Sequence, residues 1–210
     1  MFDDFDSRAL RRTDCFGQRF MKPGTYRYGV FPASGQHLSQ ERPYVIKVDE
    51  GRPGQKMKQH NIMLSATKGG FKPDKAEIGI DAGDMVVWNC PEKAMTPYAV
   101  VGDKEFFASS RLVNECGYSH AFGLPGEYRW VDAFGGPVGG VIRVRDPGVK
   151  TEADLSKWRE TLAQGTLVMV DDQQAKPREV DIMVGQTVFF AVTKSRGLSI
   201  TDERLLEKRK

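Results

Sequence analysis

Phe5-Asp6-Ser7-Arg8-Ala9-Leu10, running on to Phe20-Met21-Lys22-Pro23-Gly24-Thr25-Tyr26-Arg27-Tyr28, is written a second time in this chain. The second copy is Phe107-Ala108-Ser109-Ser110-Arg111-Leu112, running on to Phe122-Gly123-Leu124-Pro125-Gly126-Glu127-Tyr128-Arg129-Trp130. The stretches align without a gap, 102 positions apart, with Phe, Ser, Leu, Phe, Pro, Gly and Tyr in register. A period near domain size points to duplicated architecture rather than chance likeness of β-rich segments. A further echo joins Lys72-Pro73 through Ile78 and Gly83-Asp84-Met85-Val86-Val87-Trp88 to the C-terminal region. Its partner is Lys176-Pro177 through Ile182 and Gly185-Gln186-Thr187-Val188-Phe189-Phe190.

Around these echoes, short segments rich in Val, Ile, Phe, Tyr and Trp alternate with Gly and Pro, the pattern of an all-β sandwich or barrel. Strands are expected at residues 25–30, 44–48, 62–66, 76–80, 85–88, 128–131, 141–144, 167–170, 179–184 and 187–192. One helix is expected from Glu152 to Ala163, with Thr151 as N-cap, Asp154 at N3, and Leu155, Trp158 and Leu162 on one face. Residues 49–59 lack periodicity and read as a linker, and 148–164 as a helical connector.

From these pieces we expect two Greek-key β-sandwiches. Residues 60–147 form a continuous unit, and residues 1–48 plus 165–210 form a second unit assembled from both chain ends. Half a sandwich exposes unpaired edges and half a core, so the halves need each other. Closure within one chain is the expected arrangement, at modest loop-closure cost. Exchange between chains is the alternative.

Composition narrows the function classes. The 210 residues carry a net charge of +3 from 31 basic and 28 acidic side chains, with basic residues scattered among acids. No nucleic-acid footprint follows from that balance. The basic run Lys208-Arg209-Lys210 reads as a solvated tail. The acidic start Met1-Phe2-Asp3-Asp4 lacks a secretory signature, and no apolar run reaches the length of a membrane span. Three irregularly spaced cysteines, Cys15, Cys90 and Cys116, suit reduced thiols in a cytoplasmic setting.

The central unit resembles the cupredoxin family. The resemblance is carried by Gly83-Asp84-Met85-Val86-Val87-Trp88-Asn89, Pro97-Tyr98-Ala99-Val100, Phe122 through Trp130, and Gly139-Gly140-Val141-Ile142 with Val144. Cupredoxins hold copper with two His, one Cys and a weak axial Met, a soft and imidazole-rich set. At the positions that the resemblance assigns to those ligands this chain has Tyr98, Asp132, Gly135 and Val138. In the second unit the corresponding places hold Ile200, Val30 and residues 32–34. The resemblance therefore implies the cupredoxin scaffold without a copper site, cofactor or electron-transfer role. Tyr98 and Asp132 are expected to share a hydrogen bond across the vacated site.

Other chemistry is sparse. Cys116 and His120 lie four apart but outside the family's ligand loop, so an inert thiol and an ordinary His are expected. His37 and His60 read as solvent-facing. The run Phe134-Gly135-Gly136-Pro137-Val138-Gly139-Gly140 lacks the phosphate-cradling pattern and reads as a tight connection. No hydrolase, metalloprotease or triad signature stands out. The resulting expectation is a non-catalytic accessory or structural subunit that binds protein partners in a larger assembly. The resemblance points to a peripheral position on the cytoplasmic face of a membrane redox or photosynthetic complex. The alternative is copper-binding electron transfer through an unconventional site.

Overall fold

Alternation of buried and exposed side chains is what the strand segments share, and it sorts them onto two kinds of sheet. The structure, a computed structural model, describes residues 4–34, 41–51, 54–68, 70–92, 96–103 and 107–207. In chain order the first strands are β1 (Asp14–Arg19), β2 (Gly24–Pro32), β3 (Tyr44–Asp49), β4 (Gln59–Thr67), β5 (Gly70–Pro73), β6 (Glu77–Asp81), β7 (Met85–Asn89) and β8 (Tyr98–Gly102). Then come β9 (Cys116–Ala121), β10 (Gly126–Val131), β11 (Gly139–Arg145), β12 (Thr166–Asp171), β13 (Ala175–Lys176), β14 (Glu179–Met183), β15 (Thr187–Lys194) and β16 (Thr201–Asp202). Helix α1 (Glu152–Leu162) separates β11 from β12, and a short α2 (Arg204–Glu207) follows β16. The fold is all-β, and each segment expected to be a strand lies in or overlaps one.

One sheet of eight strands, ordered β13-β12-β15-β9-β1-β7-β4-β5, runs through the molecule. Two sheets of four strands, β14-β11-β10-β16 and β6-β3-β2-β8, accompany it. The strands thus fall into two sets with matching order. β1 to β8 supply half of the long sheet and one short sheet; β9 to β16 supply the rest. Pairing matches too: β3 with β6 and β11 with β14 are parallel, as are β4 with β7 and β12 with β15.

This corrects the expected partition. Strands β10 and β11, placed with residues 60–147, pair instead with β14 and β16, while β2 and β3 pair with β8 and β6. The halves therefore follow one another along the chain and change over between β8 and β9. Helix α1 lies inside the second half and connects no two units. The physical reason is visible in the two echoes. Phe107 follows Phe5, and Gly185 follows Gly83, by the same 102 positions. Lys176 follows Lys72 by 104, so offsets of 102 to 104, all in the same chain order, describe two consecutive units without permutation.

The halves share one core. An inward row crosses six strands of the long sheet in register: Ile62, Trp88, Phe16, Tyr118, Phe190 and Val168. All are 1% exposed or less. The short sheets press aromatic edges onto it, Tyr28 against Trp88 with centroids 5.3 Å apart and Trp130 against Phe190 at 5.2 Å. The Pro-Gly turns expected before β2 and β10 are pinned alike. Tyr26 Oη donates to Lys22 O and Tyr128 Oη to Leu124 O, both at 2.8 Å, as in a tyrosine corner.

Segments 5–10 and 107–112 stitch the halves together. Phe5 packs with Phe122 and Tyr128 of the second half, at 5.3 and 6.5 Å. Phe107 packs with Phe20 and Trp88 of the first, at 5.4 and 5.7 Å. Each segment then crosses back: Leu10 exchanges backbone bonds with Tyr98, and Leu112 with Leu198. Phe5 to Ser7 thus does meet the C-terminal strand β16, although the rest of the N-terminal region does not.

Helix α1 begins where expected, with a complete capping box between Thr151 and Asp154. It lies over the β14–β15 turn, where Trp158 Nε1 donates to Val184 O at 2.9 Å. Its arrival changes a buried residue below. Gln186 Nε2 donates to Thr161 O and Gln164 O at the helix's C-terminal end, at 2.8 and 2.9 Å. The matching position in the first half, Asp84, meets donors instead: Lys58 N at 2.8 Å, Asp81 N at 3.2 Å and His60 Nε2 at 2.8 Å. Carbonyls call for an amide, whereas N–H groups suit a carboxylate.

Candidate interaction face

A strand buried on one face turns every second residue outward, so the register also fixes the exterior of the long sheet. One outward row reads Met63, Asn89, Cys15, Ser119, Phe189, Leu167; the next reads Asn61, Val87, Gly17, Gly117, Ala191, Met169. Neither row carries a charge across its six strands. Leu167 is 52% exposed and Met169 40%, with Phe189 and Ala191 half-buried beside them. Phe189 folds its ring over Gly117, where a Cβ would collide with it, so glycine is what lets the aromatic lie flat on the sheet.

The short sheets turn a different exterior to solvent. On β10, β11 and β14, Glu127, Arg129, Arg143, Glu179, Arg145 and Asp181 form a cross-strand ladder of ion pairs, with Arg143–Glu179 at 2.8 Å and Arg145–Asp181 at 2.6 Å. On β3 and β6 Lys47 faces Glu77. Such alternation is the ordinary solvent-facing pattern of an antiparallel or mixed sheet.

The halves themselves provide a control. By register, Leu167 occupies the place of Asn61, Ala191 that of Asn89, and Phe189 that of Val87. The architecture accepts amides at two of these sites, so it does not require apolar groups there. The apolar exterior is more continuous in the second half, where Leu167, Phe189 and Ala191 stand at the places of Asn61, Val87 and Asn89, while Met63 is as exposed as Met169.

The positions singled out from the sequence scatter. Asp132 follows β10 and is filled within its own half, accepting from Ser199 N at 2.9 Å, Ser199 Oγ at 3.2 Å, and Phe134 N and Gly136 N at 3.1 Å. Gly135 has φ +88° in the same turn and Val138 is buried at its end. Tyr98 lies in β8 of the first half, where burial and the nearby charge of Asp14 raise its hydroxyl well above the usual range. The expected Tyr98–Asp132 bond is not formed. The assignment had joined a strand of one half to a loop of the other. Val30 is buried on β2 opposite Val100, and Ile200 is buried before β16, again in separate halves.

Cys116 and His120 share a face of β9 but stand about 13 Å apart along an extended strand. Burial pushes the Cys116 thiol up to about 12. His60 is not simply solvent-facing, since it bonds Asp84. The Asp84 carboxyl is pushed up by burial but pulled further down by His60 and the N–H groups of Lys58 and Asp81, and ends below its usual value. His37 and Lys208-Arg209-Lys210 lie outside the described residues. Among the described residues no three His, Cys, Asp or Glu side chains converge on a metal site, and no helix is long and apolar enough to cross a membrane.

Sequence reading missed a buried trio where the halves meet. Asp14 Oδ1 lies 2.7 Å from both Tyr118 Oη and His120 Nδ1, and its Oδ2 accepts from Arg11 N at 2.7 Å. Asp14 and His120 are each 1% exposed, so the trio joins β1 to β9 in the interior. A cleft of about 440 Å³ opens elsewhere, between the end of α1 and β14. Its polar walls are spent on each other: Arg145 on Asp181, and Gln186 on Thr161 and Gln164.

Fold and exterior together define an all-β protein of two matched halves on a common sheet, apolar on one outer side. No family model, curated protein or solved structure matches the chain.

Proposed function

We propose that the chain is a non-catalytic assembly subunit, built as a tandem repeat, which docks a protein partner through the outer face of its second repeat. The supporting observation is the set Leu167, Met169, Phe189 and Ala191, set out on strands whose counterparts carry Asn61, Met63, Val87 and Asn89. A charge-free patch with flexible Met and flat aromatic groups suits adaptable burial against another protein. The rigid sheet beneath holds the patch in shape.

The resemblance to cupredoxins makes a membrane redox complex the first assembly to examine, with this chain peripheral to it. The positions assigned to copper ligands carry Tyr98, Asp132, Gly135 and Val138, none of which suits that metal. Electron transfer is therefore not part of the proposal.

Gentle purification of the native protein, followed by cross-linking, tests the reading. A chain carrying Leu167→Asn with Ala191→Asn takes the amides of the first repeat and should keep its thermal stability. It should lose a partner that the wild type retains in fixed stoichiometry. Equal retention by both chains, or a wild type that runs alone, would overturn the proposal.

A further inference from the structure

We propose that the edge of β12 at Leu167 takes an extended segment of the protein partner, apolar at alternate positions and acidic between them, as an added strand. This rests on the docking reading and names the partner's chemistry. Met169 faces Lys176 in the β12–β13 ladder, and Asp171 N donates to Gln174 O at 3.0 Å in the turn that closes it. Alternation therefore turns the N–H and C=O of Leu167 to that same side. The residue that would face them is Arg178, but it has left for the short sheet, where its O accepts from Val141 N at 2.9 Å. Among the described residues no strand continues the sheet beside residues 166–168.

The first half closes the same edge with its own residues. Asp74 N donates to Met63 O at 2.8 Å, Met63 N to Asp74 Oδ1 at 3.0 Å, and Lys75 Nζ to Asn61 O at 3.2 Å. Asn61 is the counterpart of Leu167. Val45 N bonds Ala76 O as Val141 N bonds Arg178 O, so Asp74, Lys75 and Ala76 correspond to Lys176, Pro177 and Arg178. Where Lys75 reaches over to cap a carbonyl, Pro177 has no donor to offer.

An open edge accepts any extended chain through its main-chain groups, so selection falls to side chains. On the outer side Leu167 and Met169 stand ready for apolar groups. On the inner side the cleft of about 440 Å³ begins at Thr166 and reaches Ile182 and Met183 of the facing sheet, which gives room to the side chains that point the other way. Charge selects further. Lys176 and Arg178 are exposed at the end of the open stretch, and neither forms an ion pair among the described residues. Asp171 lies near Lys176 but spends its oxygens on Gln173 N and Gln174 N. An extended acidic segment meets the main-chain groups, both sides and the two cations together.

The test uses the full chain and a capped peptide, Thr-Val-Asp-Val-Thr-Val-Asp-Val-Thr. Saturating peptide should slow amide exchange at Leu167 at least about fivefold, the effect of one hydrogen bond gained, and leave Asn61 unchanged. The same peptide with Lys for both Asp should bind about fivefold more weakly, as for one or two exposed ion pairs. Leu167→Pro removes the outward N–H and spares the bonds to β15, and should weaken the acidic peptide at least about fivefold. The Leu167→Asn, Ala191→Asn chain keeps that N–H and should still show slowed exchange at residue 167, which separates the edge from the sheet face. If the Leu167→Pro chain does not fold, exchange at Leu167 in the wild type decides alone. A native partner held equally by the wild type and a folded Leu167→Pro chain overturns the added strand and leaves the docking reading standing. Unchanged exchange at Leu167, equal slowing at Asn61, or equal binding of the Lys peptide would also overturn the proposal.

Discussion

The first and second halves solve one architecture with different side chains, and their differences separate what the fold demands from what it merely permits. Both halves keep a large aromatic at the centre of the inner row, a Tyr pinning the Pro-Gly turn, and a Phe borrowed from the other half. They part at Asp84 and Gln186, where local donors and acceptors decide the residue, and on the outer face, where Asn61 and Asn89 of one half stand at the places of Leu167 and Ala191 in the other. The first kind of position belongs to folding. The outer face does not, which is why it carries the functional proposal.

The comparison is most sharply tested at the crossing segments. Replacing Phe107 by Ala should cost about 4 kcal/mol, as for other buried aromatics. Urea denaturation gives the total, and hydrogen exchange should show protection lost along β8 and β2, in the half that Phe107 enters. Loss confined to β16 would break the reciprocal arrangement.

Gln186→Glu comes next. The carboxylate would face two carbonyls that now receive N–H donors, and roughly 2 to 3 kcal/mol should be lost at neutral pH, less in acid as the group protonates. A denaturation series in urea at pH 7 and pH 4 checks both the size and its change. A neutral result would mean that α1 does not dictate the amide.

Asp84→Asn should have the smallest effect, about 1 kcal/mol at pH 7. The folded carboxyl lies below the ordinary value of 3.8, so its stabilisation is complete above 3.8 and is lost as pH falls through the lowered value. Wild type and variant should therefore converge in acid, measured as unfolding midpoints between pH 7 and pH 2. Parallel curves would show that His60 and the two N–H groups do not act on the charge.

Most strands, the helix and its cap were legible because their signals are local. β12 and β15 advertise themselves with Val, Leu and Phe, and Thr151 with Asp154 marks a helix start. Strands β1 and β9 were not, since Asp-Cys-Phe-Gly-Gln-Arg and Cys-Gly-Tyr-Ser-His-Ala mix polar and small residues. Those residues are stable in the interior only through bonds between the halves, such as Asp14 to Tyr118 and His120, which no window of sequence contains. The partition failed for a related reason: which half completes which is set by pairing between distant strands. The apolar face hid in plain view, because Thr-Leu-Val-Met-Val-Asp reads as a strand buried on both sides until its neighbours are known.

The borrowed Phe107 also sets an order of events during synthesis. A nascent chain that has emerged from the ribosome only as far as β8 still presents an open strand edge and an unfilled aromatic socket beside Phe20 and Trp88. Closure waits for residues 107–112, which are already the opening of the next half. The earlier half is thus finished by its successor, and translation cannot deliver one complete without having begun the other.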